Sequence, residues 1–136
     1  MSRPTPVGSA LSVHALALLR IVAGFLFFSH GVQKLLGLFG GLGGHGAAAP
    51  TGSMFWIAGL IETVGSVLII TGAFTRPVAF ILCGEMAAAY FLVHAKNGWW
   101  PIQNGGELAV LYCFFFLYLT FSGAGSPSID SFRQRR

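Results

Sequence analysis

Charge is what this sequence lacks most. Four acidic residues and eight lysines and arginines make up 9% of 136 residues, against roughly 25% for a soluble domain. With 54% hydrophobic residues and a mean hydropathy of +0.73, too few polar side chains remain to cover the surface of a sphere this small. A soluble enzyme is excluded. Two cysteines are too few for a disulfide scaffold, and 19 glycines without a three-residue period exclude collagen. The net charge of +4 gathers in no basic patch interleaved with aromatics, so nucleic acid is not an expected partner.

What is present are apolar runs of the length that crosses a bilayer, about 20 residues each. Four stand out, at about 11–34, 54–75, 77–96 and 105–122. The expected fold class is all-α: a four-helix transmembrane bundle forming one membrane domain, 1–136, with no soluble domain. A glycine-rich outer loop at 35–53 reads as flexible, the alternative being a partly re-entrant segment. The second connector is the tight Thr75-Arg76-Pro77, and the third carries Trp99 and Trp100, which suit the headgroup level.

Arg3, Arg76, Arg133, Arg135 and Arg136 fall on one side of these spans, and only Lys34 and Lys96 on the other. The positive-inside rule then puts both termini in the cytoplasm, with 123–136 as a basic cytoplasmic tail. A cleaved signal peptide ending near Ala47-Ala48-Ala49 is disfavoured, because the first run is too long and carries Arg20 and Lys34.

An ionisable side chain at the bilayer centre costs on the order of 2.5 to 3.5 kcal/mol, so each one needs a partner or a function. Measured from the expected span edges, Arg20 and Glu85 share a height and Glu62 lies about 6 Å above them. A buried cluster of Arg20, Glu62 and Glu85 is expected, formally negative unless it holds a proton. Such a cluster is either a proton-handling, quinone-facing site or a structural pin. His30, Lys34, His94 and Glu107 gather at the outer ends as a candidate vestibule and binding site. Glu107 also suits a helix N-terminus on its own account. His94 is nine residues from Glu85, on the opposite face of an ideal helix, so either the third helix distorts before His94 or the two residues serve different neighbours.

No metal site is expected, since neither C-x-x-C-H nor H-E-x-x-H occurs. Cys83 and Cys113 come out roughly 9 Å apart in height, too far for a disulfide, and read as small core hydrophobes.

The stretch L-L-R-I-V-A-G-F-L-F-F-S-H-G-V-Q-K-L (Leu18 to Leu35) resembles the first helix of DoxX-family membrane proteins, and G-L-I-E-T-V-G-S-V-L-I-I-T-G-A-F-T-R-P (Gly59 to Pro77) resembles their second. H-A-K-N-G-W-W (His94 to Trp100), G-G-E-L-A-V-L-Y (Gly105 to Tyr112) and G-A-G-S-P-S-I-D (Gly123 to Asp130) follow in order. The resemblance covers about Leu18 to Asp130 and carries Arg20, His30, Lys34, Glu62, Arg76, His94, Glu107 and Asp130. The long loop Gly40 to Gly52 departs from the family pattern.

The resemblance implies a multi-pass protein of the bacterial cytoplasmic (inner) membrane. The family takes its name from a subunit of a membrane thiosulfate:quinone oxidoreductase, and other members resemble partners of thiol or oxidative-stress enzymes. An oxidoreductase subunit is therefore expected, linked to a quinone or a sulfur compound. No cofactor motif of its own is evident: Gly40-Gly41-Leu42-Gly43-Gly44 neither follows a strand nor opens a helix. Quinone is the candidate cofactor, and the expected partners are the lipid bilayer and a second protein or further copies of the chain. The alternatives are a non-catalytic anchor for a soluble enzyme and a small-solute or proton pathway.

Overall fold

The computed structural model describes residues 6 to 135; Arg3 and Arg136, two of the arginines on which the expected orientation rests, lie outside the described residues. Among the described residues every regular element is a helix, with no strand. The elements are α1 (Pro6–Leu36), α2 (Met54–Thr71), α3 (Thr75–Ala89), α4 (Pro101–Asn104), α5 (Glu107–Ser122) and α6 (Ile129–Arg133). Three helices are long and apolar enough to cross a membrane: Ser9–Leu36, Met54–Thr71 and Thr75–Asn97. The chain is a membrane protein. At 16 residues α5 is shorter, about 24 Å against a hydrocarbon core of about 30 Å.

The chain divides into two compact units, 1–75 with 124–136, and 76–123. In the first, α1 and α2 run antiparallel and close together. Gly24 faces Ile69 and Ile70, Gly31 faces Thr63, and Gly59 faces Lys34 and Leu35. Small residues on both helices let the backbones approach, which is how helices associate where lipid tails remove the hydrophobic drive.

Ser53 caps α2, its hydroxyl accepting from the Trp56 amide at 3.3 Å. Gly72, left-handed at φ 68°, ends α2 and returns the amides of Gly72 and Ala73 to the carbonyls of Ile69 and Leu68. The second span thus stops at Thr71, not Thr75, because a left-handed glycine closes a helix more abruptly than the later proline. Pro77 sits in the first turn of α3, where no intrahelical amide partner is lost.

The glycine-rich loop is folded back on itself. A single bridge joins Leu42 and Ala47, and the Ala49 amide bonds the Lys34 carbonyl at 2.7 Å. Gly41, at φ 60°, leaves no room for a side chain, since a Cβ there would lie 2.5 Å from the Ala47 backbone.

The unit closes with the chain's last segment. Ser128 and Ser131 form a reciprocal capping box that starts α6, and the Asp130 amide bonds the Gly72 carbonyl. The Asp130 carboxylate then receives the Phe74 and Thr75 amides, both at 2.9 Å, capping α3 from 55 residues away.

In the second unit, α3 continues through a π-helical turn, Tyr90–His94, and a 3-10 turn, Ala95–Asn97. A wide turn absorbs about one extra residue, so His94 moves from opposite Glu85 to about 80° away. The third helix thus distorts before His94, one of the two alternatives that the spacing left open. Along α5, Phe116 and Leu119 are buried and Tyr112 stacks on Phe116 at 5.9 Å, while Phe114, Tyr118 and Phe121 are exposed.

Candidate functional site

Lys34 and Glu62 form an ion pair inside the first unit. Nζ lies 2.6 and 2.8 Å from the two carboxylate oxygens, with Glu62 3% and Lys34 17% exposed. The register of α1 against α2 produces this pairing. With Gly31 opposite Thr63 and Gly59 opposite Lys34, Glu62 sits about one turn below Lys34, within the reach of a lysine stem. His30 lies one turn before Lys34, half-buried, and Gly31 between them allows the contact with α2.

Arg20 does not share that site. The same register puts Glu62 level with about residue 31, some 16 Å along α1 from Arg20. The expected Arg20–Glu62 contact therefore fails: heights taken from assumed span edges missed that α2 starts beyond the end of α1 and stops near the level of Arg20. The guanidinium, 1% exposed, meets the C-terminal end of α2 instead. Nη1 donates to the Ile69 and Ile70 carbonyls at 2.6 Å, Nε to Ala124 at 2.8 Å and Nη2 to Pro127 at 2.7 Å. These are carbonyls that a helix end and an irregular segment leave over, and the negative end of the helix dipole favours the cation there. Gly72 leaves the space, since a Cβ on it would lie 2.7 Å from Nη1. Asp130 supplies the nearby opposite charge.

Arg76, read from sequence as a topology signal, behaves alike in the second unit. Its Nη1 donates to the Thr120 and Phe121 carbonyls, at 3.3 and 2.6 Å, at the end of α5. In the same unit the Glu85 carboxylate oxygens are buried. His94 Nδ1 lies 3.2 Å from the Asn104 carbonyl, and Glu107 is exposed at the first turn of α5.

Sequence reasoning passed over Asn104 and Tyr90, which organise the turn after α3. Asn104 is buried; its Nδ2 donates to the Gly98 carbonyl at 2.8 Å, and its Oδ1 accepts from the Gly106 amide at 2.8 Å. The Tyr90 hydroxyl donates to the Trp99 carbonyl. The signal was an asparagine just before a glycine pair, a common mark of a side chain closing its own turn.

The Cys83 and Cys113 sulfurs are 3.7 Å apart, both as free thiols. Counted from the end that Arg76 clamps, Cys83 is eight residues into α3 and Cys113 nine residues from the end of α5, so both lie about 12 to 14 Å in. The expected 9 Å separation came from assigning α5 the full bilayer thickness.

The DoxX family profile matches residues 15–95, more than half of the chain and the whole stretch holding Arg20, His30, Lys34, Glu62, Arg76, Glu85 and His94. The chain belongs to the DoxX family. It is similar to an "Uncharacterized protein" of Haemophilus influenzae, 50% identical over 120 residues, 85% of this chain and 88% of that one. It is also similar to a Bacillus subtilis protein named "Putative oxidoreductase CatD", 28% identical over 115 residues, 85% of this chain and 84% of CatD. No solved structure matches. The DoxX profile ends before α5, so the Cys83–Cys113 contact and the Asp130 cap rest on residues beyond it as well as within it.

Proposed function

We propose that this DoxX protein is the membrane subunit of a redox system, with the Lys34–Glu62 pair forming the polar wall of a site for a quinone or an oxidised sulfur compound. The observation that carries the reading is that pair: a lysine and a glutamate bonded at 2.6 Å inside apolar helices, where an ionisable group is expensive unless it is used. The name of CatD supports an oxidoreductase role.

In this reading the Lys34 ammonium, the more exposed partner, turns one N–H to a substrate oxygen. Glu62 takes or gives the accompanying proton. His30, one turn before Lys34, flanks the site. Arg20 has no chemical part, because four of its five N–H donors are spent on backbone carbonyls. Without a nucleotide-binding fingerprint of its own, the chain relies on the quinone or on a partner subunit for the electron carrier. The bilayer is the bacterial cytoplasmic membrane, α5 is the fourth span, and Arg76, Arg133 and Arg135 lie on its cytoplasmic side.

The test is purification in mild detergent with native lipids, followed by extraction and identification of small molecules. A quinone or sulfur compound that copurifies with the wild type and is lost on Glu62→Gln supports the proposal. Its absence from both preparations overturns it.

A further inference from the structure

We infer that Cys83 and Cys113 are a reversible dithiol/disulfide pair that reduces a quinone within the membrane. The inference rests on the redox reading above and gives it an electron-donating site that the Lys34–Glu62 pair cannot supply, since neither of those side chains changes oxidation state.

The sulfurs are in van der Waals contact at 3.7 Å on two different helices, and a disulfide requires them to close to about 2.05 Å. Rotation of each thiol about its Cα–Cβ bond changes the separation of the two sulfurs. The helices are held in register at one end by Arg76, which donates to the Thr120 and Phe121 carbonyls. The chain has two cysteines in all, so neither sulfur has another intramolecular partner for exchange. Each is half-buried, and so reachable from the surface of its own unit.

The depth decides the oxidant. At about 12 to 14 Å from the helix ends, the pair is out of reach of water-soluble disulfides such as oxidised glutathione. Separated charges are costly in hydrocarbon, so the acceptor must take protons together with electrons and must dissolve in lipid. A quinone does both. Two S–H bonds break and one S–S bond forms, and the two protons and two electrons together convert the quinone to its hydroquinone. Thiol oxidation driven by a membrane quinone is established chemistry for bacterial disulfide formation. Two thiols in contact are also ordinary apolar packing. The two readings differ in what an added quinone does to them.

The full chain is reconstituted in liposomes, reduced, freed of reductant and given decylubiquinone. It is then denatured in detergent with a maleimide, and its intact mass is read. The expected result is a chain that takes up no maleimide, is lighter by two hydrogens and has formed one hydroquinone; dithiothreitol restores uptake of two maleimides. Cys83→Ser and Cys113→Ser each reduce hydroquinone formation to the protein-free background. A photoreactive azido-quinone in the same liposomes reports binding separately. Labelling of the chain with both thiols still open to maleimide overturns this inference and leaves the proposed function standing. Absence of both labelling and oxidation overturns this inference together with the quinone form of the proposed function, and leaves the sulfur-compound form to its own test. A disulfide found only between two chains also overturns the inference. The main reading is made on the wild type, so a variant that misfolds does not remove the test.

Discussion

Lys34 donates to both carboxylate oxygens of Glu62, but the two partners are not equally trapped. Glu62 is 3% exposed in the middle of the α1–α2 contact, whereas Lys34 is 17% exposed and two residues from the end of α1. A lysine left alone can extend its stem toward the headgroups, while a carboxylate left alone at Glu62 has nowhere to go. Lys34→Met is therefore expected to cost more than Glu62→Gln: about 3 kcal/mol or more against about half of that. Lys34→Met combined with Glu62→Leu should recover most of the loss. Thermal or denaturant unfolding in one detergent checks the order, and equal costs for the two single variants would refute the asymmetry.

Arg20 predicts a failure of conservative substitution. Its four bonds leave the guanidinium in three directions, to Ala124, to Ile69 and Ile70, and to Pro127. A lysine ammonium is a single point and cannot reach all three. Arg20→Lys should forfeit at least two bonds of the charge-assisted kind, about 3 kcal/mol. Ala124 and Pro127 lie in the segment that returns to the α2 end, so the loss is expected there first. Limited proteolysis should cut between Gly123 and Ser128 in the variant and spare the wild type; equal protection in the two would show that the segment holds itself.

The helices were legible in the sequence because apolar length is a property of the chain alone, and the family motifs were legible for the same reason. The Lys34–Glu62 pair was not, since it depends on the register between two helices. That register is fixed by glycine contacts at Gly24, Gly31 and Gly59, not by the span edges from which heights were reckoned. Arg20 was misread for a different reason. A buried cation directs attention to carboxylates, but the free carbonyls at a helix end serve as well, and Gly72 was the visible mark of such an end. Arg76 before Gly123 repeats the pattern. Cys83 and Cys113 were placed apart because their heights were counted from opposite faces of a full-thickness bilayer, whereas α5 is only 16 residues long.

Gly31 and Gly84 give opposite expectations for the same substitution. A Cβ on Gly31 would lie 2.7 Å from the Thr63 amide nitrogen and 3.1 Å from the Gly59 carbonyl oxygen, both backbone atoms that cannot turn aside. Gly31→Ala must push α1 from α2, at a cost of about 1 to 3 kcal/mol, and should weaken the neighbouring Lys34–Glu62 pair. A Cβ on Gly84 meets nothing within 4 Å, so Gly84→Ala should gain about 0.5 to 1 kcal/mol from reduced backbone freedom. Melting curves of the two variants check the signs, and a destabilised Gly84→Ala would mean that this face of α3 is covered in the membrane.

Asp130 holds a strained turn as well as a helix end. Phe74 is left-handed at φ 49°, a conformation unfavourable for a bulky residue, and it persists because its amide donates to Asp130 Oδ1 while Arg133 lies over its ring at 4.9 Å. Oδ2 takes the Thr75 amide, so the carboxylate supplies both acceptors and a negative charge at the positive end of α3. Asp130→Asn keeps one acceptor, presents an N–H to the other amide and loses the charge, for an expected cost of about 1 to 2 kcal/mol. If strain at Phe74 adds to that cost, Phe74→Gly should be less damaging in the Asp130→Asn background than in the wild type, since glycine adopts the left-handed turn without help. Unfolding of the four chains of this cycle in detergent reads the coupling directly; simple additivity would show that Asp130 caps α3 without restraining the turn.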